Sequence, residues 1–241
     1  MGALLGYLGE RAAAERGAGT VAGAGLWALF LDRDNRLLRD AGDWPDGDGR
    51  AAASPPRGLA RRAVELGRDD AVSLGNAGLP LIVVAHELDE GAALLEQALA
   101  LNQNLAWVWQ FSALAKAFLG EPEAAIEQAA RAMRLSPQDP QTFGMQVAAA
   151  WAHFFLGRDE EAWRWAEAAL RQQPRFLVGA CVAAAAAAHA GRQGEAARAL
   201  ALLRDIDPAL RLGNLKELLP FRRPEDFARW AEGLRLAGLP E

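Results

Sequence analysis

Three times in this chain a glycine is followed five residues later by alanine and seventeen residues later by proline: Gly120, Ala125, Pro137; Gly157, Ala162, Pro174; Gly191, Ala196, Pro208. The glycines are 37 and 34 residues apart, and recurrence at about 34 residues marks a helix-turn-helix unit that stacks into a solenoid. Each residue type has its own geometric task. Glycine suits the tight turn between antiparallel helices, where the backbone takes a conformation hostile to a Cβ. Alanine keeps the second helix thin enough to lie close against the first, and proline closes the unit because a helix cannot run on through it. A worn fourth copy lies upstream, with His86, Gly91, Ala98 and Gln103 at the corresponding positions.

The spacing predicts an all-α fold, a right-handed α-α superhelix with a C-terminal capping helix. Four helical pairs are expected over 72–105, 106–139, 143–176 and 177–210, with Asp139, Pro140 and Gln141 as a local insertion. Inside the second helices, Ile126 with Met133 and Trp163 with Leu170 recur at seven residues, with Ala129 and Ala166 between them on the same face. Pro122 falls in a first helical turn, where a missing N–H costs little. Pro80 falls mid-way through a first helix, so a kink or a late start is expected there. Leu59 to Gly67 reads as the second helix of a preceding unit, which extends the solenoid region to 57–210 as a half repeat plus four pairs.

The two ends differ from this pattern. Residues 1–56 form a divergent leader rich in glycine, alanine and proline. Gly42 to Pro56 (GDWPDGDGRAAASPP) reads as an exposed linker, and a short helix is plausible over Leu26 to Leu38. At the other end, 211–241 is expected to form a cap. Leu215, Leu218 and Leu219 make a short amphipathic turn that stops at Pro220, and Pro224, Glu225 and Asp226 open a new helix with acidic side chains at the positive end of its dipole. Phe227, Trp230 and Leu234 then share one face, and Gly238 ends the helix. This helix is expected to pack on the last repeat and seal its open end.

Composition narrows the function. A formal charge of -5, with 24 arginines among 26 basic residues spread between glutamates, is the wrong electrostatics for a nucleic-acid surface. The single cysteine, Cys181, excludes an intramolecular disulfide and a multi-cysteine zinc site. It reads as a small buried hydrophobe. His86, His153 and His189 occur at different depths of their helix pairs, and no two have the four-residue spacing of a helical metal site. Neither a phosphate-binding GxxxxGK loop nor a GxSxG elbow is present. The chain is therefore expected to be no enzyme, with no cofactor, no metal and no catalytic residue. The longest weakly polar run, Gly17 to Leu31, is too short to span a bilayer. Arg11 and Arg16 precede it, but Asp32, Arg33 and Asp34 stand where a signal cleavage site would need small residues. A cytoplasmic protein is the expectation, an exported one the alternative.

The repeat residues resemble the tetratricopeptide repeat, whose pattern also asks for a large aromatic early in the unit and an alanine late in the second helix. Trp109 fits the first position, and Ala132 and Ala169 fit the second. Gly75, Gln146 and Ala180 depart from the aromatic, and Leu203 from the late alanine. The resemblance implies that first helices line a concave face for protein or peptide partners. It assigns Asn76, Trp107, Gln110, Leu114, Val147, Trp151, Phe154, Cys181 and Ala185 to that face. Relatives that clamp a terminal carboxylate carry lysine or arginine there, whereas the fifth positions here are Asn76, Gln110, Val147 and Cys181. The implied ligand is an apolar or helical segment and not an acidic tail. Trp107, Trp151 and Phe154 fit equally a role in cementing adjacent repeats.

Two stretches are more specific. Asn104 to Pro140 and Asn214 to Glu241 resemble the C-terminal tetratricopeptide region of bacterial proteins that carry a class III adenylate or guanylate cyclase domain, or a winged-helix DNA-binding domain, at the N-terminus. In that family the repeats regulate or bind. The 56 residues of the leader cannot supply a cyclase domain, which needs well over a hundred residues of mixed sheet and helix, so cyclase activity is not implied. The chain is expected to be a non-enzymatic protein interaction module, a scaffold or regulatory adaptor. Its alternative is a detached regulatory region acting in trans on a cyclase or a winged-helix regulator.

Overall fold

The computed structural model describes residues 69–83 and 85–241, and over these the chain is helical. The leader, the linker, the Leu26 to Leu38 helix and the half repeat at Leu59 to Gly67 lie outside the described residues. Eight α-helices follow one another in antiparallel pairs: α1 (Ala71–Val83) with α2 (Leu88–Leu101), α3 (Ala106–Leu119) with α4 (Pro122–Leu135), α5 (Thr142–Phe155) with α6 (Asp159–Gln172), and α7 (Leu177–His189) with α8 (Gln193–Ile206). A 3-10 turn (Leu212–Glu217) and α9 (Pro224–Ala237) complete the chain. Each pair packs on the next in consecutive order, first helix on first helix and second helix on the following first helix. The result is a right-handed α-α superhelix of tetratricopeptide type with a C-terminal capping helix.

The repeat residues sit where their chemistry requires. Gly120, Gly157 and Gly191 all occupy the left-handed region, with φ of 83°, 72° and 73°. Ala125, Ala162 and Ala196 are fully buried where the second helix crosses the first. On α6 the fully buried residues are Ala162, Ala166 and Ala169, so the helix meets its neighbours through a strip of methyl groups. Pro137, Pro174 and Pro208 each fall two residues past the end of a second helix. Pro80 lies in the last turn of α1, which starts at Ala71, where the Asp70 carboxylate accepts a hydrogen bond from the Ser73 N–H at 2.9 Å. The late start allowed by Pro80 is thus not taken.

His86 is the worn copy's substitute for the turn glycine, and its φ of 56° shows that the backbone there keeps the left-handed form without the residue that suits it. A left-handed non-glycine residue costs about 1–2 kcal/mol, of which glycine's greater unfolded-state freedom returns about half. His86→Gly is therefore expected to stabilise the chain by about 0.5–1 kcal/mol, measurable as a higher midpoint of urea unfolding. A lower midpoint would show that the imidazole contributes more than the strain removes.

α7 differs from the other first helices. Its sequence, LVGACVAAAAAAH, is buried from Leu177 to Ala188 with no exposed stripe. A helix that is apolar on every side must have neighbours on every side. Here they are α5, α6, α8 and α9.

Candidate functional site on the inner face

The residues assigned to the concave face divide into two sets. Trp107, Val147 and Cys181 pack between neighbouring helices: the Trp107 ring lies over Gly75 of α1, and Val147 meets Gly179 of α7. Burial pushes the Cys181 thiol far above its usual range, so it is no nucleophile. Gln110 and Leu114 are buried on α3, and Asn76 is half-buried on α1. Trp151, Phe154 and Ala185 lie instead under the chain's own C-terminal segment.

That segment does more than close the last repeat. From Phe221 to Ala237 it crosses the C-terminal halves of the first helices of three pairs. The Phe221 ring stands edge-on to Phe118 of α3 at 5.0 Å and to Phe155 of α5 at 5.4 Å, and is tilted against Trp151 at 5.2 Å. Trp230 meets Trp151 at 5.9 Å and Phe221 at 5.2 Å. Gly233 lies so close to α7 that a Cβ built on it would stand 2.7 Å from the Ala185 Cβ and 2.9 Å from its Cα. The expectation of a helix packed on the last repeat holds. What the spacing did not anticipate is its path, along the inner face and back to the second pair.

Polar contacts fix the register of this crossing. The Arg222 N–H donates to the Phe118 carbonyl at 3.0 Å, at the C-terminus of α3, while the Arg222 side chain pairs with Asp89 at the start of α2. Arg229 donates through Nε to the Phe154 carbonyl at 3.0 Å and through Nη2 to Asp159 at 2.5 Å, with its guanidinium 4.9 Å from the centre of the Phe154 ring. His189 Nε2 lies 3.0 Å from the Arg229 carbonyl. In both side-chain ion pairs the repeats contribute the acid and the C-terminal segment the arginine.

Three buried polar atoms at or beside this seam have no hydrogen-bond partner: the indole nitrogens of Trp151 and Trp230, both fully buried, and Oδ2 of Asp226. Arg223 Nε stands 3.6 Å from that carboxylate, too far for a good hydrogen bond. Burial pushes the Asp226 carboxyl above the usual carboxylate range, with Arg223 opposing and Glu225 reinforcing the shift. A carboxyl raised in the native state binds its proton more tightly folded than unfolded. Stability is then lost as pH rises from about 4 through the raised native value, and the penalty is complete above it. Asp226→Asn is expected to raise the melting temperature at pH 7, with the gap closing towards pH 4. A variant less stable than wild type at pH 7 would show that the carboxylate's place in the first turn of α9, favoured by the helix dipole, outweighs its burial.

Elsewhere the repeats are clamped at their rims. Arg192 makes two hydrogen bonds to Glu160 at 2.8 and 2.7 Å across adjacent pairs, with its guanidinium 3.8 Å above the centre of Trp163. Trp109, at the aromatic position of the repeat pattern, donates to the Gln103 carbonyl at 2.8 Å and carries Arg131 over its ring. Among the described residues no three His, Cys, Asp or Glu side chains gather as a metal set, and no helix is long and apolar enough to cross a membrane.

No protein-family model matches the sequence, and no curated protein matches it. Among solved structures the chain is similar to PilW, described as a widely conserved type IV pilus biogenesis factor, with a TM-score of 0.55 at 14% identity over 85% of this chain and 89% of that one. Two structures of MamA are also similar, with TM-scores of 0.46 and 0.45 at 19% and 18% identity, over 73% and 76% of this chain and 96% and 94% of theirs. At these identities the likeness concerns the fold, and it is the PilW comparison that carries it. The chain thus has a helical-repeat fold of tetratricopeptide type.

Proposed function

We propose that the protein is a non-enzymatic interaction scaffold that binds protein segments of apolar, helical character on the face formed by its first helices. The observation that carries this reading is the seating of α9, an amphipathic helix with Trp230 and Leu234 fully buried, on that face. It supports a helical ligand over an acidic tail, because the rim of the face offers Asp89 and Asp159 where a carboxylate clamp would need bases. Trp151, Phe154 and Ala185 are the assigned residues that would meet such a ligand directly. Asn76, Trp107, Gln110, Leu114, Val147 and Cys181 would shape the wall behind them. We take 57–210 as the stacked unit, 211–241 as its cap and 1–56 as a separate leader, in a cytoplasmic protein that needs no cofactor and does not bind nucleic acid. The test is capture with the full chain as bait, reconstitution of a captured protein from purified components, and competition by a peptide of residues 218–241. A stoichiometric complex that the peptide displaces supports this face. A complex indifferent to the peptide moves the partner elsewhere, and failure to reconstitute any complex counts against a scaffold.

A regulatory role in trans on a nucleotidyl cyclase or a winged-helix regulator is the second reading. The observation that favours it is that the two stretches resembling that family meet through Phe118 and Phe221, so they form one structural feature. The coding sequence just upstream tests it: a cyclase or winged-helix segment there supports the reading, and unrelated sequence removes its basis.

A further inference from the structure

We propose that Phe221–Ala237 is a built-in occupant of the inner face, a latch that a partner must displace with an amphipathic, arginine-bearing helix of the same design. The inference rests on the scaffold reading and adds to it a closed state and a specificity. The required partner carries an indole or phenyl side chain in the place of Trp230. Three residues on, in the place of Gly233, it carries a small residue that passes Ala185. Next to the aromatic it carries an arginine able to reach Asp159 and the Phe154 carbonyl.

Four observations point to a latch and not to a permanent part of the core. Charge is complementary across the seam, with Asp89 and Asp159 on the repeats facing Arg222 and Arg229 on the segment. The segment also donates to the repeats' own carbonyls, at the ends of α3 and α5, as a bound peptide would. Yet the seam is imperfect. Trp151 and Trp230 bury their N–H donors without an acceptor, one on each side, and a ligand carbonyl placed there would remove that cost. Finally, Gly233 interrupts the interior of α9 and admits no Cβ against α7, so close docking has been obtained at the expense of helix propensity.

Gly233→Leu in the full chain is the direct test, because it wedges α9 off α7 while leaving every residue of the eight-helix stack in place. The probe is a fluorescein-labelled peptide of residues 218–241, titrated by anisotropy against wild type and variant. The latch predicts at least a tenfold tighter Kd for the variant, and binding that weakens as salt screens the two arginine pairs. Equal binding to both chains would overturn the latch while leaving a face that takes helices. Binding to neither, with the variant folded by circular dichroism, would overturn latch and face together. Should Gly233→Leu fail to fold, hydrogen exchange on wild type decides. Amides of α9 exchanging at least tenfold faster than those of α5 and α7 support a latch, and exchange of all three as one unit sinks it.

Discussion

Trp151→Ala is expected to lower folding stability by about 2–3 kcal/mol net, a large part of the margin of a marginal domain, with the lost packing alone worth about 3–5 kcal/mol. Trp151 is fully buried, and its ring stands within 6.0 Å of Phe118, Phe154, Phe155, Phe221 and Trp230. Removing it opens a cavity where α3, α5 and the C-terminal segment meet. Partial relief comes from deleting an indole N–H that has no acceptor, an effect of about 1–3 kcal/mol in the opposite direction. Trp151→Phe isolates that relief. It keeps an aromatic ring in the cluster and loses the orphaned donor, so it should cost much less than the alanine variant. Urea unfolding of the two variants and wild type measures both. A cost below about 1 kcal/mol for Trp151→Ala would show that the cluster closes over the gap and that the seam with α9 is not a packed core.

The second large effect is at the crossing of α1 and α2. A Cβ on Gly91 would lie 2.6 Å from the Gly78 carbonyl oxygen and 2.5 Å from Ile82 Cγ1, so Gly91→Ala forces the two backbones apart. Overpacking of this kind costs about 1–3 kcal/mol. Because the obstacle includes main chain that cannot rotate away, the upper part of that range applies. Alanine's better helix propensity returns about 1 kcal/mol. The net expectation is a loss of about 1–2 kcal/mol in urea unfolding. Gly194→Ala supplies the control, since a Cβ there meets nothing within 4 Å and the same propensity gain stands unopposed. If both substitutions stabilise, the α1 and α2 pair is looser than its geometry indicates.

The same comparison explains why a worn repeat still reads as a repeat. Gly91 stands where the other copies have Ala125, Ala162 and Ala196, and every one of them keeps the crossing helix narrow. His86 stands where they have glycine and takes the same left-handed turn. Geometry is kept at both positions although residue identity is not, because packing on the second pair holds the first in the common arrangement.

What the chain order of residues determined alone was local and periodic. The turn glycines, the alanine crossings, the proline stops, Pro122 and Pro224 at helix starts and Gly238 at the last C-cap each act within one or two helical turns, where a residue's own stereochemistry decides. The apolar face of α9 was legible for the same reason, since Phe227, Trp230 and Leu234 report that a face is covered. They do not report by what. Only the tertiary structure decided that α9 runs along the inner face and covers Trp151, Phe154 and Ala185, because that choice depends on groups over thirty residues away: the rings of Phe118 and Phe155, the carbonyl of Phe154 and the carboxylates of Asp89 and Asp159. Two signals for it did lie in the sequence, an α7 without a polar side and a glycine inside α9. Both are statements about missing bulk, and missing bulk names no neighbour until the helices are placed in space.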